Sequence, residues 1–461
     1  VSFLSDLLFR CNEEELKRIK AFDMQNLHRK VMHALIEQVN TNTLNEPSLQ
    51  EQFGLSKSHY DKVNSVLFNA CVTGLTNGTM KAGLSFFLEK ELLTLYVHQL
   101  KLYERRLKQY PDKVLERELY WQAFQDFRRF PVSEYDERKV KNYADKYLKV
   151  ANKPSEEDKA EVWLMYEFSR VFVNAARGNN VKFEPAFLKT MKEWEDKVLD
   201  RPWYKAHFHY YLTWASFYDF FTSDIIGLVG SLQGALDAFE KAKGAIPENY
   251  KVYAITKLAK AYCLDSRYEE SLEVYREAFK NYGTQLVRNY YHPLMYSIIA
   301  IINRQYNEAE LMMDKELKQL IDKGPDSTIS FDILRTYAIL NIYRGDYKKA
   351  AKYLQRGLTY SRIEISRLGD ILQRLVHNVF FIITGDLETA KSSLSRNYKF
   401  LKSKPGDKLS EEYGKYFDML KVIIAHKKGK KLPGDFDVQM DYFQKGIMKL
   451  YGGLLLLAME K

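Results

Sequence analysis

The side chains with most capacity for chemistry in this 461-residue chain are its histidines, cysteines and clustered lysines, and their spacing limits each of them. His207 and His209, in the run HFH, invite a metal site. On a helix, residues two apart diverge by roughly 200°, so a regular helix cannot aim both at one ion. Packing or surface roles fit them better. Cys11, Cys71 and Cys263 lie far apart and form no CxxC pair, so neither a zinc site nor a disulfide framework is indicated. They read as buried fillers in a protein of the reducing cytoplasm. The phosphate-cradling GxxxxGK[ST], the dinucleotide GxGxxG, the zinc-binding HExxH and the nucleophile elbow GxSxG are all missing. Carboxylates are plentiful but sit in mixed-charge helical runs, which read as solvated faces. The expectation is a chain with no catalytic residue, no metal and no cofactor.

Two further features remain. HKKGKK (426–431) reads as a helix end, with Gly429 as the stop and lysines favoured by the helix dipole. The other lies in residues 1–78, where helices are expected at 2–11, 13–22 and 24–40, with Asn12 and Glu15 forming an N-terminal capping box. Ser48 is read as the cap of a short helix, Gly54 as the turn, and Ser56 as the cap of a longer helix with Tyr60, Val63 and Leu67 along one face. This order resembles a helix-turn-helix, and the resemblance would aim Lys57, Ser58, His59 and Lys62 at a DNA major groove. The segment carries 8 Lys+Arg against 9 Asp+Glu, whereas phosphate contacts need a basic footprint.

The elements that position everything else are helical hairpins. In the run LAKAYCLDSRYEESLEVYREAFKNYG (258–283), Leu258, Ala259, Tyr262, Tyr268, Ser271, Tyr275 and Ala278 fall where two antiparallel helices touch. Small residues let the axes approach and aromatics fill the groove beside them. The frame recurs at Leu232, Tyr268, Tyr306, Tyr347 and Leu387, spaced 36, 38, 41 and 40 residues apart. Each marker is followed by a small residue: Ala235, Ser271, Ala309, Ala350 and Ala390. This pattern resembles the tetratricopeptide repeat (TPR). The resemblance implies an all-α fold over residues 202–430, a right-handed α-α superhelix in which each hairpin packs on its neighbours. It also resembles, through EEELKRIKAF, LQEQFG and VNSVLFNACV near the start, the first module of some bacterial TPR proteins.

The rest of the chain is read around that array. TNGTMKAG (76–83) breaks helical periodicity and marks a boundary. One long helix is expected over 84–110, and prolines 111, 131, 154, 185 and 202 then punctuate degenerate hairpins, 112–129 with 133–151 and 155–177 with 183–199. The aromatic run 202–221 reads as the packing of the first clear repeat, and 431–461 as a capping segment whose helix, 436–461, covers the final apolar face. The longest apolar run near the end, 454–459, is far too short to cross a bilayer. The first residue is Val1 rather than Met, which leaves a removed leader open.

Function follows from the resemblance. TPR arrays receive an extended or helical peptide in a groove lined by the first helix of each hairpin. The family's groove positions fall here on Tyr253, Lys260, Tyr291, Ile298, Arg335 and Tyr343. The Lys/Asn/Arg set by which some TPR proteins clamp a chaperone tail is not matched. The net charge of +10 resides wholly in residues 251–461, which favours acidic partners if it is not simply solvated lysines. The leading expectation is a cytoplasmic, non-catalytic scaffold that binds a peptide or protein. The alternative is a transcriptional regulator that joins helix-turn-helix DNA binding through Lys57, His59 and Lys62 to a TPR sensor, an order resembling peptide-sensing bacterial regulators.

Overall fold

Every regular element in the computed structural model is a helix, with no strand among the described residues. Those residues are 1–461 except 1, 2, 22–25, 42, 44, 77–79, 91, 152, 179, 223, 323–327, 361–366 and 404–407. None of the helices is long and apolar enough to cross a membrane. The chain divides into two compact units, Val1–Trp194 and Glu195–Lys461.

The first unit contains α1 (Phe3–Arg10), α2 (Glu13–Ala21), α3 (Asn26–Asn40), α4 (Glu46–Gln52), α5 (Lys57–Thr76), α6 (Met80–Glu89), α7 (Leu93–Gln109), α8 (Lys113–Phe127), α9 (Glu137–Val150) and α10 (Glu156–Arg177), with the division falling inside α11 (Asn180–Val198). The capping chemistry explains several starts. The Glu15 amide donates to Asn12 Oδ1 at 2.9 Å while the Asn12 amide donates to Glu15 Oε2 at 2.7 Å. Ser155 and Asp158 form the same reciprocal box. Ser48, however, is not the cap of α4: Asn45 Oδ1 accepts from the Ser48 amide, so the helix starts at Glu46 with Pro47 in its first turn, where a missing N–H costs nothing.

The single helix expected over 84–110 is two helices, α6 and α7, packed on each other. A straight rod would leave one apolar stripe unmatched, whereas the break buries Leu84 and Phe87 from one side and Leu95, Tyr96 and Leu100 from the other. Pro185 does not separate two helices either. It stands inside α11, which forgoes one ladder hydrogen bond there rather than ending. α10 lies against α9, and meets α11 through the Arg170 guanidinium 5.4 Å from the Phe183 ring.

The second unit starts with α12 (Tyr204–Phe217), which runs into a π-helical turn (Tyr218–Thr222) and is followed by α13 (Ile225–Lys241). Gly234 lets α13 approach, since a Cβ there would stand 3.0 Å from the Tyr211 ring. Next come α14 (Glu248–Leu264), α15 (Tyr268–Leu286), α16 (Tyr291–Ile302) and α17 (Tyr306–Met312), the last passing through a second π turn (Met313–Leu317) into α18 (Lys318–Asp322). Then follow α19 (Thr328–Tyr343), α20 (Tyr347–Tyr360), α21 (Arg367–Ile383), α22 (Leu387–Lys402) and α23 (Lys408–Lys427), and finally α24 (Phe436–Tyr442), a 3₁₀ turn (Gly446–Met448) and α25 (Lys449–Glu460). Each of α12 to α16 packs on the helix that follows it, as do α19 on α20 and α21 on α22.

Four hairpins share one turn. The middle residue of each is left-handed: Ser266 (φ 63°), Arg304 (61°), Gly345 (76°) and Gly385 (81°). In each, the next residue's amide returns to a carbonyl five residues earlier: Arg267 to Tyr262, Gln305 to Ala300, Asp346 to Asn341 and Asp386 to Phe381, at 2.8–2.9 Å. This satisfies an orphan carbonyl at the end of the first helix. The second helix then begins one or two residues on, at Tyr268, Tyr306, Tyr347 and Leu387. Leu232 breaks the series, since it lies in the middle of α13, which Asp224 caps after the π turn has displaced its start. The small residues at the helix contact are sealed from solvent, with Ala309, Ala350 and Ala390 each 0% exposed and Ser271 Oγ donating to the Ala259 carbonyl at 2.6 Å.

Two of those turns place a side chain where glycine is preferred. Arg304 is exposed and its backbone cost is not offset by burial. Arg304→Gly is therefore expected to raise stability by about 0.5 kcal/mol, relief of the left-handed strain exceeding the added unfolded-state entropy. The midpoint of urea unfolding would report it.

The segment after α23 departs most from expectation. It is not one helix lying on the last hairpin. Gly429 (φ 89°) stops α23 as expected, but α24 and α25 then turn back. α25 packs against α16, α21 and α23, burying Leu450, Leu454, Leu455 and Ala458. The Tyr343 hydroxyl donates to the Leu450 carbonyl at 2.6 Å, and the Tyr268 hydroxyl reaches the carbonyls of Gln444 (3.2 Å) and Gly446 (3.1 Å). Adjacent glycines make the approach feasible: a Cβ on Gly453 would stand 2.3 Å from the Tyr343 hydroxyl, and one on Gly452 2.1 Å from the Phe443 carbonyl oxygen. A helix with five leucines has more apolar surface than one terminal face can cover, and packing on α16, α21 and α23 together offers a longer match.

Candidate functional site

The six groove positions separate into two groups. Tyr253 and Lys260 on α14 and Tyr291 at the start of α16 line a single open cavity of 440 Å³, with Thr256, Lys257 and His292. Ile298, Arg335 and Tyr343 belong to the apolar cluster and the contacts beneath α25. Arg335 is only 8% exposed, so its guanidinium is an internal fastener. It donates to Asp332 Oδ1 at 2.7 Å and to the Gly369 carbonyl at 3.3 Å, and also hydrogen-bonds Tyr451 of α25.

The cavity owes its electrostatics to the first π turn. Widening the helix by one residue brings Asp219 toward α14, where Lys257 Nζ stands 2.7 Å from Oδ2 and Lys260 Nζ 3.4 Å from Oδ1. Burial alone would raise the Asp219 carboxyl, but the two ammonium groups outweigh it and hold it below its usual value. At Lys257 burial wins, and the ammonium is held below the usual lysine range despite Asp219. Lys257 also lies 5.4 Å from the Phe220 ring and 5.8 Å from the Tyr253 ring, so its charge is partly met by aromatic faces. His292 has its pKa lowered by burial, and its Nδ1 is buried without a hydrogen-bond partner among the described residues. The sequence pattern alone did not single out Lys257, His292 or Asp219. The run YDFF gave no sign that a π turn would re-aim its carboxylate.

The remaining candidates are dispersed. His207 Nε2 pairs with the Val198 carbonyl at 2.9 Å, and His209 is buried with its ring 5.4 Å from that of Tyr250. Burial pushes the Cys11 and Cys263 thiols up to about 12, so neither is a thiolate at neutral pH. Lys428 in the basic run pairs with Glu388 at 2.5 Å. Lys57, His59 and Lys62 are exposed at the start of α5, after a turn in which Gly54 is left-handed (φ 61°) and Ser56 Oγ accepts from the His59 amide. Asp61 is exposed beside them. No known protein-family model matches this sequence, and no curated protein matches it significantly.

Proposed function

We propose that the chain is a non-catalytic, cytoplasmic interaction scaffold, a TPR-like right-handed superhelix whose inner face binds a peptide or protein. One observation supports this reading: α16, α21 and α23 already receive a helix of the same chain, and α14 and α16 line an open cavity that is left unfilled. A surface that seats α25 through leucines, a tyrosine hydroxyl and a buried guanidinium has the chemistry of helix-in-groove recognition. The unfilled part presents Tyr253, Lys260 and Tyr291, an aromatic and cationic set suited to a partner's polar end.

The test is a pull-down of the full chain from native lysate, with and without nuclease and at two salt concentrations, beside Tyr291→Ala and Lys260→Ala. A protein that survives nuclease and is lost with either substitution is the expected result. The second reading, a DNA-binding regulator, is favoured by the exposure of Lys57, His59 and Lys62 on one helix start. Recovery of DNA that disappears on nuclease treatment or at higher salt, and with Lys57→Ala/Lys62→Ala, would sink the scaffold-only reading.

A further inference from the structure

The cavity between α14 and α16 carries a positive charge that its walls do not match. Lys257 and Lys260 share one carboxylate, Asp219, which stands behind them, and none of the described side chains lining the cavity is acidic. The two lysines are not equivalent. Lys257 is held at 2.7 Å with its side chain 25% exposed, whereas Lys260 is held at 3.4 Å and is 34% exposed. Lys260 is thus the ammonium with donors to spare and access to the opening.

The other groups narrow the class of ligand. One uncompensated charge suits a monoanion better than a phosphate dianion. Tyr253 and Tyr291 line the cavity beside the lysines, the Tyr253 ring lying 5.8 Å from Lys257 Nζ, which favours an apolar or aromatic body behind the charge. A charge-assisted hydrogen bond in such a half-enclosed site is stronger than one on open surface.

We propose that this cavity binds a carboxylate carried on an aromatic or apolar body, with Lys260 as its main charge partner, Lys257 as a further donor, and Tyr253 and Tyr291 against the body. It rests on the open end of the inner face being a binding surface, and names the chemistry that surface takes. Two sources present this group: a free small acid, and the terminal residue of a peptide.

The experiment is calorimetric titration of the full chain with 4-hydroxyphenylacetate, with N-acetyl-L-phenylalanine, and with a short peptide ending in phenylalanine, each beside its amide. The acids are expected to bind at least about tenfold tighter than the amides, and Lys260→Met and Lys260→Gln to erase that preference while leaving the thermal melt unchanged. Binding of 4-hydroxyphenylacetate as tightly as the peptide identifies a small-acid site; binding of the peptide alone identifies a chain terminus. The assignment is overturned if none of the acids binds, if acid and amide bind alike, or if the preference survives both Lys260 variants. Such a failure leaves the scaffold reading standing wherever Tyr291→Ala still abolishes partner capture.

Discussion

Gly452→Ala is expected to cost the second unit about 3 kcal/mol and to detach α25 from α16, α21 and α23. The added methyl would fall 2.1 Å from the Phe443 carbonyl oxygen and 2.8 Å from its carbon. Both are backbone atoms at the end of α24, so no rotamer change relieves the clash. Either α24 moves away from α25 or α25 lifts, and lifting uncovers Leu450, Leu454 and Leu455, each at most 2% exposed. Each leucine contributes roughly 1.5–3 kcal/mol when fully buried, so the helix yields at its tightest contact before it gives up the whole seat. Guanidinium unfolding followed by circular dichroism would show the lower midpoint, and limited proteolysis would release the segment around α25 early. Leu456→Ala on the outer side of the same helix, where the residue is 39% exposed, should shift the midpoint by less than about 1 kcal/mol. Equal effects from the two substitutions would refute the docked arrangement.

Arg335→Ala should destabilise by a similar amount, about 3 kcal/mol, and for an electrostatic reason. The guanidinium joins α19 to the start of α21 through Gly369 and to α25 through Tyr451, while Asp332 balances its charge. Removing it strands a carbonyl and a phenol in a buried place and leaves Asp332 without its counter-ion. Arg335→Lys should rescue little, because one ammonium cannot span three acceptors set around a planar fork. Thermal unfolding of Arg335→Ala, Arg335→Lys and Lys260→Ala side by side gives the check. The two arginine variants melt low and Lys260→Ala melts like the parent. Loss of partner binding at Arg335 would then report a damaged scaffold, and only Lys260, Tyr253 and Tyr291 would report contact. An Arg335→Ala protein with an unchanged melt would place that side chain back among the surface candidates.

Local chemistry was legible in the sequence wherever neighbours along the chain decide the outcome. Asn12 with Glu15 and Ser155 with Asp158 reveal their helix starts, because a cap needs only the next three residues. Tyr268, Tyr306, Tyr347 and Leu387 could be placed in phase because a three-residue turn fixes where each second helix begins. The misreadings share a different cause. Ser48 and Asn45 are both good caps, and Pro47 decides between them through a backbone constraint that composition does not weigh. Nothing between Phe87 and Leu95 is a helix breaker, so the split of α6 from α7 is set by what their apolar faces meet elsewhere. The same holds for α25. Its leucines state that it must be covered, but not by which helices. Ile298, Arg335 and Tyr343, which the sequence pattern places on the first helices of their hairpins, pack against the apolar cluster or hold neighbouring helices. Asp219 escaped notice because a π turn shifts helical phase by one residue, which no periodicity argument anticipates.

The grip of Tyr268 on Gln444 and Gly446 spans 176 and 178 residues of chain, in an array whose hairpins otherwise touch their neighbours. A linear stack of that kind can zip up stepwise and fray from either end, because each repeat closes only a short loop. Here the loop between α15 and the 3₁₀ turn must be closed before α25 can seat, which raises the contact order and makes that docking a late event in folding. Once formed, it couples repeats that are distant in sequence. α16 and α21 then open together rather than one after the other, so the array behaves as one cooperative block instead of a chain of independent links.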